Sequence, residues 1–553
     1  MESIGSDLET MKRVPLADAH VAALSEIGEE RWYAKGEMIA RVGERMDRFI
    51  YLIEGEVEIV DPYLGDRLFD AVLGPTQFLG DIGLLHASAH FLGARAVSDT
   101  RTLEASREQM LELMGRMPEL SDHIITVFAA RRRRQFELKS SSIKLIGADR
   151  DPAVQRVEAF LSRNRIPFQS YDLDGADDEA SRLGRLAHHE PAVIFDRDRR
   201  VDNPTPRKIA QLLNLDLELG SNSVADVLIV GGGPAGVAAA VYAGAEGLSA
   251  LVIEDIAIGG QAGTSSRIEN YMGFPTGISG ADLVYRGQIQ ALKFGTRFVM
   301  PRRVKKLEKR EDGLFCATLN DGIEACARAI VVATGVQYCR PPLDRLEAFE
   351  GSGVFYAATE MEGRFCRDTN AIVIGGGNSA GQAAMYLSRI AGRVHVLVRS
   401  RSLADSMSDY LLRRLEAEPN IDIHFRTEVV ALHGEEYLNF VTLQTPEGQR
   451  RLDTRAMFMM IGAAPNTDWL SGLVKLNSKG FVLTGELAGA RTPFETSCPG
   501  IFAVGDVRAA SVKRVASAVG EGSVVISAVY DHVRAPVSVS ATADTSRAPP
   551  ARV

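Results

Sequence analysis

Val227-Leu228-Ile229-Val230-Gly231-Gly232-Gly233-Pro234-Ala235-Gly236 decides the fold of the larger part of this chain. Four aliphatic residues in a row read as a buried strand, and glycines follow without a spacer. Gly231, Gly233 and Gly236 have the G-x-G-x-x-G spacing. The first permits a tight turn, the second lets backbone approach a pyrophosphate, and the third lets a helix pack closely on the strand. Pro234 suits a first helical position and Ala235 opens an alanine-rich run, so a helix N-terminus offers its amides at the same point. The next strand, Ala250-Leu251-Val252-Ile253, ends in Glu254, a carboxylate placed to accept hydrogen bonds from ribose hydroxyls.

A second copy follows. Ala371-Ile372-Val373-Ile374 runs into Gly375-Gly376-Gly377-Asn378-Ser379-Ala380-Gly381 and a further small-residue helix. Its next strand, Val394-His395-Val396-Leu397-Val398, ends in Arg399, with Arg401 two residues on. An arginine there accommodates a 2′-phosphate that a carboxylate would repel; the alternative is a pair of solvated surface charges. The first unit therefore suits FAD and the second NADPH, with NADH the less favoured nucleotide.

Two such units in tandem resemble the pyridine nucleotide:disulfide oxidoreductases, and among them the low-molecular-weight thioredoxin reductases. The resemblance spans residues 224–536. Gly260 and Gln261 in Ile258-Gly259-Gly260-Gln261, with Asn270 in Glu269-Asn270-Tyr271-Met272-Gly273-Phe274-Pro275, look like the family's flavin-contacting segment. Thr334-Gly335 and Ile461-Gly462 match its crossover strands. Gly505-Asp506 closes its C-terminal FAD motif, and Arg514-Val515-Ala516 lies where the family contacts the flavin ring, with Val515 in place of a family glutamine. The resemblance implies a discontinuous FAD domain over 224–339 and 464–536, a nucleotide domain over 340–463, and a homodimer.

One family feature is missing. The redox pair C-A-T-C should follow a G-V-x-Y stretch, but after Gly353-Val354-Phe355-Tyr356 the chain reads Ala357-Ala358-Thr359-Glu360. Ala357 and Glu360 replace the two cysteines, so no catalytic residue is assigned. The five cysteines, at 316, 326, 339, 366 and 498, include no C-x-x-C, and their odd number argues against a disulfide framework. Cys366 and Cys498 read as small buried hydrophobes. Hydride transfer to a flavin requires only stacking and positioning, so that half of the chemistry survives. Electrons would then pass directly from flavin to an acceptor, either a small oxidant or a redox protein. Two other readings stay open: a low-turnover redox or nucleotide sensor, and a thioredoxin-disulfide reductase using a non-standard thiol route.

Upstream, residues 20–110 alternate short apolar runs with turns such as Gly36-Glu37, Gly43-Glu44 and Gly74-Pro75, the pattern of a small all-β roll. Ser106 to Phe136 then reads as helix. Lys35-Gly36-Glu37 through Glu54-Gly55-Glu56-Val57-Glu58, and Phe78-Leu79-Gly80-Asp81-Ile82-Gly83-Leu84-Leu85, resemble the cyclic-nucleotide-binding domains. That likeness places Gly80 and Asp81 at a possible cyclic-nucleotide site, Asp81 standing for the family's glutamate. The family's arginine position falls near His90, a poor substitute for a phosphate-pairing fork, so weak or absent binding is expected. The run Arg131-Arg132-Arg133-Arg134 reads as the solvated end of a helix or a linker.

Residues 140–218 read as a small α/β unit with strands at Ile143-Lys144-Leu145-Ile146, 168–173 and 191–195. Its helices start at Asp151-Pro152 and Thr205-Pro206. The order resembles the thioredoxin/glutaredoxin fold but carries no cysteine near its first helix, which removes thiol–disulfide exchange. The chain is thus expected to be multidomain. The expected order is an N-terminal β-roll with helices (1–136), a small thioredoxin-like α/β domain (140–218), two Rossmann-like three-layer α/β domains for FAD and NAD(P), and a disordered tail (537–553).

A formal net charge of −9 gives no general affinity for nucleic acid or anionic membranes. No run is apolar enough to span a bilayer, and the acidic N-terminus lacks a secretory leader, so a cytoplasmic location is the expectation. No metal-ligating motif is read.

Overall fold

The computed structural model describes residues 15–535 apart from 138–140, 150, 174–189, 197–198, 217–218, 220–223, 266–267, 269, 339, 350–352, 357, 359, 405, 436 and 471. The expected tail at 537–553 lies outside the described residues.

The strand Val224–Val230 forms where the aliphatic run predicts it and pairs in parallel with Ala250–Ile253 on one side and Glu324–Val332 on the other. Arg297–Val299 extends the parallel set beyond Ala250–Ile253. Glu324–Val332 has two further neighbours. Its first half pairs with Phe315–Leu319 of an antiparallel meander, and its second half with Ile501–Ala503, which returns from far along the chain. Small residues on the helix Pro234–Ala245 let it lie close under this sheet, with the C-terminal helix Val515–Arg534 packed beside it.

The second unit is a five-stranded parallel sheet in the order Val354–Phe355, Ala456–Met459, Asn370–Ile374, Arg393–Val398, Ile421–Phe425. A separate antiparallel sheet, Glu428–His433, Phe440–Thr445 and Gly448–Asp453, covers one of its faces. Val336–Tyr338 and Ala463–Pro465 pair antiparallel as the two chain crossings between the units.

The N-terminal region holds a four-stranded and a three-stranded antiparallel sheet. The expected helix from Ser106 is divided into Arg107–Arg116 and Pro118–Glu137, because Pro118 cannot donate to the preceding turn. Ser106 and Gln109 form a reciprocal capping box at its start. The next region forms a four-stranded sheet ordered Arg200–Asp202, Ala192–Ile194, Lys144–Gly147, Gln169–Asp172. Asp151 and Thr205 cap its helices as their sequence positions predict.

The run at 131–134 is not a solvated helix end. The guanidinium of Arg131 donates to the carbonyls of Phe78 and Gly80, and Arg132 is 4% exposed. Helical phase explains the difference: Ile124 and Phe128 face the roll, and 131 and 132 continue that face, while Arg133 points out to Glu137.

Apolar packing is continuous across the regions. Phe128 and Met110 of the roll share a cluster with Val284 and Leu292 of the first dinucleotide unit, and Ala89 and Phe91 enter the core of the four-stranded α/β region. A four-membered ion cluster adds to this. Arg302 donates to Asp216 at 2.5 Å and lies 3.0 Å from Asp321, while Arg207 donates to Asp321 at 2.6 Å. Asp216 and Arg302 have side chains only 1% and 4% exposed, so each depends on the other for its charge. Arg302→Met is therefore expected to destabilise the chain by about 3 kcal/mol, because Asp216 loses its buried 2.5 Å partner and keeps only Arg207 at 3.5 Å. The check is a lowered thermal midpoint that Asp216→Asn partly restores in the double variant.

Candidate functional site

Each glycine of the first turn has its own geometric reason. Gly231 holds φ +107°, and a Cβ there would stand 2.4 Å from the Ala333 carbonyl oxygen. A Cβ on Gly236 would stand 1.9 Å from the Gly231 oxygen, so helix and strand could not close. Gly233 differs: its Cβ would meet nothing nearer than Gly260 Cα at 3.9 Å. The space above the second glycine is left open by the chain itself. The second unit repeats this, with Gly375 at φ +142° and 2.2 Å from the Met460 oxygen, and Gly377 open to 3.8 Å.

Both helices that follow, Pro234–Ala245 and Asn378–Leu387, begin on a glycine without a side-chain cap. Val515–Arg534, which starts at the predicted contact Val515 with Arg514 as its N-cap residue, is likewise uncapped. By contrast Asp151, Thr205 and Ser279 close off their helices with side-chain oxygens. Uncapped first-turn amides with a positive dipole end are an anion cradle.

Glu254 sits at the end of its strand as expected. Its carboxylate accepts from the Gly232 amide at 2.7 Å and the Ile256 amide at 3.0 Å, and burial raises its pKa. Arg399 and Arg401 are exposed, and among the described residues neither guanidinium has an ion pair or hydrogen bond. Asn378 turns inward instead, accepting from the Ser408 amide at 2.7 Å, and Ser379 and Ala380 complete the first turn of that helix. Gln261 donates to the Val336 carbonyl at 2.6 Å and Thr334 to the Asn466 carbonyl at 2.9 Å. These bonds tie the predicted flavin segment to the crossings, next to Gly335, Ile461 and Gly462. Asn270 is exposed beside Met272, which is 93% exposed.

Asp506 lies in a short turn, Gly505–Val507, beside the N-terminus of Val515–Arg534. Burial raises its pKa, against the opposing charge of Lys513, and its carboxylate makes no hydrogen bond among the described residues. Pattern reading missed what braces this turn. Glu521 accepts the Gly505 amide at 2.6 Å and pairs with Arg508 at 2.5 Å. It missed Arg163 too, which reaches from the α/β region to donate to the Gly260 carbonyl at 3.2 Å. A contact made from a separate module leaves no local spacing to read.

The donor set fits two dinucleotides. The open spaces over Gly233 and Gly377, the uncapped helix ends, the carboxylate after the first unit and the two free guanidinium groups after the second each match a part of such a ligand.

Ala357 lies outside the described residues, and Glu360 opens a short helix, Glu360–Gly363. Cys366 is fully buried, donates to the Gly363 carbonyl, and burial lifts its thiol pKa to about 11. Cys498 is half-buried with its pKa also raised by burial. The expectation of no disulfide is corrected: Cys316 and Cys326 are bonded. They stand directly opposite on Phe315–Leu319 and Glu324–Val332, an opposition set by hairpin register rather than by any Cys spacing motif.

At the possible cyclic-nucleotide site, Asp81 is 4% exposed and already occupied. Both of its oxygens accept from Arg132, at 2.8 to 3.1 Å, and it caps the turn Ile82–His86 by accepting from the Gly83 amide. Despite burial, the Arg132 charge holds its pKa below the usual carboxylate range. The space beside the pair, between Ile82, His86, Phe91 and Tyr285 of the first dinucleotide unit, is a cavity of about 30 Å³. That is room for about one water molecule.

Residues 225–522 match the family described as pyridine nucleotide-disulphide oxidoreductase, and residues 30–117 the cyclic nucleotide-binding domain. A thioredoxin reductase of Streptomyces clavuligerus is 34% identical over 304 residues, 54% of this chain and 91% of the relative. One of Treponema pallidum is 34% identical over 310 residues, 56% of this chain and 97% of the relative. The solved thioredoxin reductase of Lactococcus lactis aligns with a TM-score of 0.52 at 27% identity, covering 56% of this chain and 99% of that one.

Three outcomes are expected. Gly233→Ala has room and an ordinary backbone angle, so it should fold within about 1 kcal/mol of the parent yet retain less flavin, because its methyl enters the open cradle. Gly231→Ala should lower both thermal stability and flavin content; equal behaviour of the two variants in melting and flavin absorbance would contradict this. Calorimetry with cyclic AMP or cyclic GMP should give no micromolar binding, since Arg132 holds the acidic position; saturable binding abolished by Asp81→Ala would refute it.

Proposed function

The chain belongs to the pyridine nucleotide-disulphide oxidoreductase family, and from that premise we propose an NADPH-dependent FAD oxidoreductase whose flavin hands electrons directly to an acceptor. Its unit at 225–522 is thioredoxin reductase-like, an N-terminal cyclic nucleotide-binding domain precedes it, and its relatives use FAD and NADPH. Among the described residues no helix is long and apolar enough to cross a membrane.

The observation that carries the proposal is the replacement of the family's redox cysteines by Ala357 and Glu360. When bound, FAD supplies a two-electron acceptor for the hydride of NADPH. The chain's part is to hold the reactants: first-turn amides at Gly233 and Gly377 bind phosphates, Glu254 takes ribose hydroxyls, and Arg399 with Arg401 selects a 2′-phosphate. Asp506 and the open N-terminus of Val515–Arg534 orient the ring system.

A disulfide does exist, which keeps a thiol route in view. Cys326, however, is six residues from Val332, the strand end at the glycine turn. At roughly 3.3 Å per residue that is about 20 Å, too far for contact with a ring bound at the turn. Cys316–Cys326 is read as a cross-strand brace rather than a relay. The sheet order of the α/β region supports a thioredoxin/glutaredoxin-like module. Without a cysteine, that module serves as a docking piece, its Arg163 on the flavin segment. The domain limits 1–136, 140–218, 224–339 with 464–536, and 340–463 belong to this proposal.

Anaerobic NADPH should bleach the flavin band, and an artificial acceptor should sustain turnover undiminished by Cys316→Ser with Cys326→Ser. An oxidised flavin under NADPH would favour a sensor of low turnover, and loss of turnover in the double variant would favour the thiol route. Arg399→Glu with Arg401→Glu should raise KM for NADPH by about tenfold or more through loss of charge-assisted hydrogen bonds, while KM for NADH changes little.

A further inference from the structure

His395 and His424 lie on adjacent parallel strands, Arg393–Val398 and Ile421–Phe425, where His395 is opposite Asp422 and Leu397 opposite His424. Val394, Val396 and Val398 fill one face of the sheet, so His395 and Leu397 share the other. Asp422 and His424, two residues apart on their own strand, also share one face. The result is two imidazoles and a carboxylate gathered at one spot on the second unit's sheet.

We propose that His395, His424 and Asp422 form a binding site for a divalent transition-metal ion of the zinc class. The Nδ1 of His395 is 3.0 Å from the Nε2 of His424 and 3.7 Å from an Asp422 carboxylate oxygen. All three donor atoms fall within 4.8 Å of one another. Two nitrogens bound at about 2.0–2.1 Å to a tetrahedral ion stand about 3.3 Å apart, so the observed pair is close to a preformed chelate. Burial lowers the pKa of both imidazoles, and of the two facing nitrogens one donates to the other, so binding a metal requires that proton to move to the ring's other nitrogen.

The surroundings narrow the ion. Arg393 donates to both Asp422 oxygens at 2.7 and 2.5 Å, orienting the carboxylate as an outer partner commonly does. Arg450 also faces the imidazoles. Two cations nearby disfavour ions held by charge alone, so Mg²⁺ and Ca²⁺, which want several oxygens, are excluded. Zinc, cobalt(II), nickel(II) and copper(II), which take imidazole nitrogen, are favoured. A cleft of about 470 Å³, lined by His424, Thr427, Glu447, Gln449 and Arg450, provides entry and space for water at the remaining positions. The Thr427 amide donates to the Val398 carbonyl and the Arg426 amide to the Ser400 carbonyl, so the site adjoins the loop carrying Arg399 and Arg401.

The test uses the full chain with any affinity tag removed. Calorimetry with Zn²⁺, and the absorption spectrum of added Co²⁺, should show one ion per chain with micromolar or tighter affinity, undisturbed by millimolar Mg²⁺ or Ca²⁺. His395→Ala and His424→Gln should each weaken binding at least about tenfold, and Asp422→Asn less. Zn²⁺ should raise the thermal midpoint of the parent but not of His424→Gln. Because His424 is only partly buried, that variant decides the matter even if His395→Ala fails to fold. Absence of saturable binding, or binding unchanged in His424→Gln, would overturn the proposal. So would binding lost in Cys498→Ser and kept in the histidine variants.

Discussion

The pairing of one strand, Glu324–Val332, with three partners is the constraint on which the dinucleotide units depend. It receives Val224–Val230 on one edge along nearly its whole length, and divides its other edge between Phe315–Leu319 and Ile501–Ala503. Its end delivers Ala333, whose carbonyl crowds Gly231 and makes glycine obligatory there. Its continuation becomes the crossing Val336–Tyr338. Thus a single buried strand closes a sheet whose parts are distant in sequence, shapes the first turn, and launches the second unit. Ala329, Ile330, Val331 and Val332 are fully buried, as a strand with neighbours on both edges and helices over a face requires.

Both glycine turns were legible because their demands are local. A strand, a positive φ, an uncapped helix and a terminal Glu254 or Arg399 all fall within a few dozen residues, and each leaves a residue-type signature. The crossings and the Gly505-Asp506 motif were legible through resemblance. What braces them was not. Glu521 acts through its distance from Gly505 in space, and Arg163 through docking of another module. The disulfide was hidden for a related reason: the count of cysteines is blind to hairpin register, which alone places Cys316 opposite Cys326. His395, Asp422 and His424 were equally invisible, since 27 residues separate the first two in sequence and parallel pairing alone makes them neighbours.

The N-terminal roll shows how a charge can change its role without changing its position. Asp81 stands where the resemblance would put the family's acidic residue, and Arg132 from the helix Pro118–Glu137 satisfies it with a two-pronged contact. A buried pair of this kind resists separation, because a lone buried charge costs more than the pair gains. The adjoining turn Ile82–His86 packs on the helix Gly280–Lys293 of the first dinucleotide unit, with Tyr285 closing the small cavity between them. The turn Ile82–His86 and Asp81 are therefore an internal surface. The cyclic nucleotide-binding domain is joined to the first dinucleotide unit through the turn that follows Asp81.

The same logic bears on where electrons leave. In a scaffold with a C-x-x-C, the acceptor is carried on the nucleotide unit beside the flavin. In the proposed function Ala357 and Glu360 stand for that pair in the sequence, and neither residue type can store or pass two electrons. Among the described residues the remaining thiols offer no substitute, and Cys339 lies outside them. Cys366 is buried with its pKa raised to about 11, far from a thiolate at neutral pH. Cys498 lies near the start of Ile501–Ala503 and the disulfide in the middle of the meander, both on the side of the sheet away from the glycine turn. In the proposed direct transfer, reduced flavin passes its electrons to what diffuses or docks against it. In the predicted flavin segment from Asn270 to Pro275, Tyr271 and Phe274 are half-buried while Asn270, Met272, Gly273 and Pro275 are exposed, Met272 almost wholly, so these four are the part of the segment that a docking acceptor can touch.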